Sequence, residues 1–148
     1  MIGVCALVWA VGWNAVDPRG LALGRPLPRR AGSDARYLTH AEAGERFRDG
    51  RAVFVDVRPL AAWRQGRIPS AVHLPADDFG AAYARMGSRL PLSEELVLYC
   101  DGPHCELADR TWPKLQSLGY VRCLVYEGGW EEWVGHHGPE ERDLRGPK

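Results

Sequence analysis

Apolar positions along the chain follow two rhythms. Ala52–Val53–Phe54–Val55–Asp56–Val57, Leu96–Val97–Leu98–Tyr99 and Val121–Arg122–Cys123–Leu124–Val125–Tyr126 are short, nearly continuous runs. That is the pattern of strands covered on both faces. Between them the apolar residues are spaced as on helices. His40 to Phe47 reads as a helix with Thr39 as its cap, Glu42 as the capping-box partner and Asp49–Gly50 as its end. Pro59 opens a short helix through Trp63, and Gly66 stops it. Ile68 to Leu74 reads as a turn and a brief strand, and Phe79, Ala82, Tyr83 and Met86 form a helical stripe after Asp77–Asp78. The segment from Cys105 to Leu118 carries a further stripe, with Pro113 marking either a kink or a fresh start. Gly119 is placed to end it, and a Glu127–Gly128–Gly129 turn leads into a last short helix from Trp130 to Val134. Strands alternating with helices predict an α/β domain with a mostly parallel sheet.

The two ends differ from this middle. Ile2 to Val16 is apolar apart from Asn14, with Trp9 and Trp13 suited to an interface. Residues 1–17 are expected to act as an N-terminal membrane anchor, with a cleaved export signal or a truncated helix of a longer membrane protein as the alternatives. The flank rich in arginine (Arg19, Arg25, Arg29, Arg30) favours a cytoplasmic placement of that side without fixing the orientation. Residues 18–36, with their Pro, Gly and Arg, read as a linker, residues 37–137 as the folded domain, and residues 138–148 as a polar tail.

Composition narrows the function. The 148 residues carry a formal net charge of zero, which gives no support to a nucleic-acid-binding surface. Four cysteines are too few for a disulfide scaffold. Cys123 lies within a strand pattern and reads as core. No Gly-rich dinucleotide loop and no phosphate-binding lysine loop occurs, so no cofactor is expected.

The chemistry concentrates at Leu96 to Cys105. A buried strand ends in Cys100, Gly102 and Pro103 force a loop, and a helix follows. Loop amides and a helix N-terminus present the positive ends of dipoles, where a thiolate is stabilised. The loop residues Asp101, Gly102, Pro103, His104 and Glu106 are therefore the candidate anion-binding set, and Cys105 is a second candidate thiol. A buried, inert Cys100 is the competing reading. A metal pair of Cys100 and Cys105 is not expected, because two thiols are too few and their spacing exceeds that of a zinc knuckle. Asp56 interrupts its apolar strand and is expected to pair with Arg58, bracing the sheet near the loop.

Taken in order, three blocks resemble a single rhodanese-like domain over Tyr37 to His136. They are Val55–Asp56–Val57–Arg58 with Trp63 and Gly66 to Leu74, then Leu98–Tyr99–Cys100 with its loop, then Gly119 to Val125 closed by Glu127–Gly128–Gly129–Trp130 and Trp133. The resemblance implies a central parallel sheet with helices on both faces and Cys100 as the sulfur-carrying nucleophile. It implies a small sulfur-containing anion and a thiol as substrates, and the second loop Cys resembles a membrane-associated subgroup, with a membrane protein as a possible partner. Two departures stand out. No Arg lies in the loop, the first being Arg110, and Arg67 occupies the usual place of a His.

On this reading an exposed Cys100 thiolate takes the outer sulfur of a donor such as thiosulfate and passes it on. The amides of Gly102, His104 and Cys105 are expected to stabilise the charge. Cys105 is placed to resolve a Cys100 persulfide, giving a sulfide-releasing or thiol–disulfide enzyme as the alternative. Phosphatase or arsenate-type chemistry and a non-catalytic interaction domain are the remaining classes. The missing loop Arg argues against the phosphatase.

Overall fold

The computed structural model describes residues 36–143. The elements are β1 (Arg36–Leu38), α1 (His40–Arg48), β2 (Ala52–Asp56), α2 (Leu60–Gln65), β3 (Val72–His73), α3 (Phe79–Met86), β4 (Glu95–Tyr99), α4 (Leu107–Ser117), β5 (Cys123–Tyr126) and α5 (Gly129–Gly135). One 3-10 turn, Ala76–Asp78, leads into α3, and a second, Gly87–Arg89, follows it. All pairings in the five-stranded sheet are parallel, in the order β1-β5-β4-β2-β3.

Alternating residues of each strand feed two cores, one on each face of the sheet. Val55, Leu96, Leu98 and Val125 pack with Trp112 and Leu115 of α4 and Ala82 of α3. Phe54, Val97, Tyr99, Leu124 and Tyr126 pack on the other face with Ala43 of α1 and Trp133 of α5. This double burial is why the strands are apolar apart from residues at their ends, and why helices flank both faces.

The ends of the helices follow local chemistry. Thr39 caps α1, its hydroxyl accepting from the Glu42 amide while the Glu42 carboxylate accepts from the Thr39 amide at 2.9 Å. Replacing Thr39 with Ala is expected to lower stability by about 1 kcal/mol, measured as a drop in the urea unfolding midpoint. Gly119 ends α4 at φ +95°, with the Gly119 amide donating to the Gln116 carbonyl and the Tyr120 amide to the Leu115 carbonyl. Only a residue at ease with positive φ closes a helix this way.

The sequence reading needs three amendments. First, no strand is expected ahead of α1, yet Arg36–Leu38 add a parallel edge strand to β5, starting at Arg36, the last residue of the expected linker. Second, α4 begins at Leu107 and runs unbroken through Pro113, forgoing one helical hydrogen bond there. The neighbouring Trp112 indole donates to the Cys123 carbonyl at 3.1 Å and ties the helix to β5. Third, the segment expected as a tail is held on the domain as far as Asp143. Arg67 and Glu141 exchange both backbone hydrogen bonds at 2.9 Å, and the Asp143 amide donates to the Arg64 carbonyl. Residues 144–148 and the segments expected to form an anchor (1–17) and most of a linker (18–35) lie outside the described residues. Among the described residues no helix is long and apolar enough to cross a membrane.

Candidate active site

The chain leaves β2 toward β3 on one side and leaves β4 toward β5 on the other, so the C-terminal ends of β2 and β4 flank a switch in winding direction. Open parallel sheets place their ligands at such a point. Cys100 follows β4 there, and Val57 and Arg58 follow β2.

The loop from Cys100 to Glu106 is fixed from within and from α5. The Cys105 amide donates to the Gly102 carbonyl at 3.0 Å and closes a turn. The Trp130 amide donates to the Cys100 carbonyl at 2.8 Å, and the Glu131 amide to the Asp101 carbonyl at 2.7 Å. The first turn of α5 therefore spends its unpaired amides on the start of the loop. Gly129 makes that approach possible. It sits at φ +60°, and a Cβ there would stand 2.5 Å from the Cys100 carbonyl oxygen.

Beneath the loop lies a buried polar network. Asp56, Arg58 and Tyr99 are each at most 1 % exposed. The Arg58 guanidinium grips Asp56 with Nε at 3.0 Å and Nη2 at 2.7 Å, and donates to the Gly66 carbonyl at 2.6 Å. The Tyr99 hydroxyl donates to Asp56 at 2.8 Å and accepts from the Ile68 amide at 3.1 Å. The guanidinium also lies against the Tyr99 and Trp130 rings, 5.6 and 4.9 Å from their centroids. Its Nη1 reaches Asp101 of the loop at 3.5 Å. Burial opposes the Arg58 charge, yet Asp56, with smaller help from Tyr99 and Asp101, holds its pKa above the ordinary value. Burial, followed by the Asp56 charge and hydrogen bond, drives the Tyr99 phenol well above its usual range. The network holds an ionised arginine and a neutral tyrosine across the physiological range, and it joins β2, β4, α5 and the loop.

Cys100 and Cys105 form a disulfide, their Cα atoms 6.1 Å apart. Cys100 is 3 % exposed and packs within the core that contains Val57, Ala76 and Ala108. Cys105 is half-buried at the edge of that core. The expectation of an openly exposed Cys100 thiol is thus corrected. The expectation that the Cys105 amide serves an anion is corrected too, because that N–H closes the loop turn. Asp101, Pro103, His104 and Glu106 form the exposed crown of the loop, and Gly102 is half-buried beneath Glu131. The sulfurs and an Asp101 oxygen lie within 4.8 Å of one another, so reduction of the disulfide would bring two thiols and a carboxylate together. A depression of 690 Å³ opens beside the loop, lined by Arg58, Gln65, Asp101, Trp130, His137 and Arg142 among others. Cys123 lies apart from all this, and burial pushes its thiol up to about 12.

Sequence reasoning missed what four residues do around the site. Tyr99 reads as one more apolar strand residue, and only its hydroxyl's distance to Asp56 gives it a role. Gly129 and Trp130 were visible as a motif, but their contact with the loop crosses a long sequence separation. Arg67 stacks its guanidinium 3.8 Å from the Trp63 ring centroid and pairs with Glu141 and Asp143. It serves the fold rather than the loop.

Comparison with known proteins places this geometry. Residues 39–136 match the rhodanese-like domain family. The chain is 28% identical over 123 residues to the mouse thiosulfate sulfurtransferase/rhodanese-like domain-containing protein 3, covering 74% of this chain and 75% of the relative. It is 32% identical over 101 residues to the tRNA uridine(34) hydroxylase of Erwinia tasmaniensis, covering 66% of this chain but only 28% of that enzyme's length. Among solved structures, the BH2092 protein of Bacillus halodurans superposes with a TM-score of 0.66 at 27% identity, covering 74% of this chain and 79% of that one.

Proposed function

Because this chain belongs to the rhodanese-like domain family, we propose that it moves sulfane sulfur on Cys100. The supporting observation is the position of Cys100 at the end of β4, in a loop fixed by the first turn of α5. The relatives' names include a thiosulfate sulfurtransferase, which agrees with that chemistry.

In the reduced protein the Cys100 thiolate attacks the outer sulfur of a donor such as thiosulfate. A Cys100–sulfur bond forms, the donor's sulfur–sulfur bond breaks, and sulfite leaves with the electron pair. The persulfide then gives its outer sulfur to an acceptor thiolate, and Cys100 returns as a thiolate. The α4 N-terminus lies just beyond the loop and favours the anionic forms.

The disulfide supports a second outcome at the same site. The Cys105 thiolate attacks the Cys100 sulfur of the persulfide, hydrosulfide leaves, and the Cys100–Cys105 bond forms. One sulfur is thereby reduced to sulfide while the two cysteines are oxidised, and an external thiol must restore them.

Intact-mass measurement tests the reading. Reduced protein treated with thiosulfate, or with a low-molecular-weight persulfide, should gain the mass of one sulfur, and Cys100→Ser should abolish the gain. In Cys105→Ser the adduct should persist and sulfide release should stop. Failure of Cys105→Ser to take up sulfur from either donor would overturn the proposal.

A further inference from the structure

The two halves of the disulfide are unequally placed. Cys100 is 3 % exposed, with core residues packed around it. Cys105 is half-buried and adjoins Pro103, His104 and Glu106, all of them exposed. A thiolate that cleaves a disulfide attacks one sulfur in line with the bond, so access to each sulfur decides which is attacked.

We infer that reducing equivalents enter this site through Cys105 and emerge on Cys100, delivered by a dithiol protein. This rests on the sulfur-transfer reading, to which it adds a partner and a direction. In the first step the partner's thiolate attacks Sγ of Cys105. A partner–Cys105 disulfide forms, the Cys100–Cys105 bond breaks, and Cys100 leaves as the thiolate that the proposed transfer requires. In the second step the partner's other thiolate attacks its own linked sulfur. Cys105 is released as a thiolate, and the partner departs as a disulfide. Two electrons pass from the partner to the cysteine pair.

The chemistry selects a dithiol over a monothiol. While the mixed disulfide stands on Cys105, the Cys100 thiolate remains tethered close by and can attack Cys105 to remake the original bond. A monothiol must win that competition by a second encounter. A dithiol wins it intramolecularly, where effective concentrations are far higher.

The test uses the full chain in its oxidised form and a thioredoxin whose second active-site Cys is replaced by Ser, so that the first step is trapped. Acid-quenched samples are alkylated and mapped by peptide mass. The expected product is a one-to-one adduct carried on Cys105, in at least about tenfold excess over Cys100, with Cys100 recovered as a free thiol. An adduct mainly on Cys100, or no adduct while dithiothreitol reduces the pair freely, would overturn the inference. Sulfur uptake by Cys105→Ser, which needs no reduction, is measured in parallel. Uptake there with an adduct on Cys100 removes this inference alone. An adduct on Cys105 without uptake keeps the electron route and removes the sulfur-transfer reading.

Discussion

Replacing Arg58 with Met is expected to destabilise the domain by about 3–5 kcal/mol, the usual effect of breaking a buried ion pair from one side. The reason lies in what stays behind. Asp56 is fully buried, and Arg58 supplies most of its donors, with Tyr99 adding one. Without the guanidinium a carboxylate is left in the interior with too few partners. The Gly66 carbonyl loses its 2.6 Å donor as well, and the Trp130 ring loses its cation. Urea unfolding of the wild type and the single variant measures the loss. Adding Asp56→Asn to Arg58→Met should recover a large part of it, because no bare charge then remains. A single-variant loss under about 1 kcal/mol would show that the pair does not hold these strands together.

Gly129→Ala is expected to be comparably damaging, by roughly 2–5 kcal/mol. Two effects add. A non-glycine residue in the left-handed region is disfavoured by about 1–2 kcal/mol, and the new methyl group would meet the Cys100 carbonyl oxygen at 2.5 Å and the backbone of Asp101 and Gly102 at 2.9 Å. Backbone cannot swing aside as a side chain does, and overpacking of this kind typically adds about 1–3 kcal/mol. Gly102→Ala is the control. Its new methyl group meets only the end of the Glu131 side chain, which can rotate away. Thermal unfolding should separate the two variants clearly. Sulfur uptake by the folded fraction of Gly129→Ala should fall as well, since the clash pushes Cys100 off the α5 amides. Equal behaviour of the two alanine variants would contradict this account of the loop.

How much of this could be read from the chain depended on the range of each interaction. The Thr39–Glu42 cap, the Gly119 stop and the doubly covered strands are written in neighbouring residues, and they were legible. So was the pairing of Asp56 with Arg58, two residues apart at the end of a strand. β1 was not, because three residues carry no period, and its pairing with β5 spans most of the domain. The position of the Cys100 loop, between a buried strand and a helix, was legible too. Its true packing was not, because the α5 amides that hold it come from about thirty residues downstream. The disulfide was weighed but left open, since a spacing alone does not bring two Cβ atoms together.

The clasp formed by Arg67, Glu141 and Asp143 sets the practical border of the domain. The Glu141 carboxylate accepts from the Ser70 amide at 3.1 Å as well as from Arg67, and these donors hold its pKa below the ordinary value. Ser70 itself stands at φ +62°, a posture that this outside acceptor helps to fasten. A fusion or affinity tag joined directly after the last helix would strand an arginine and an amide that the native sequence answers five to seven residues beyond the end of the family match. Anyone designing such a junction should therefore place it after Asp143.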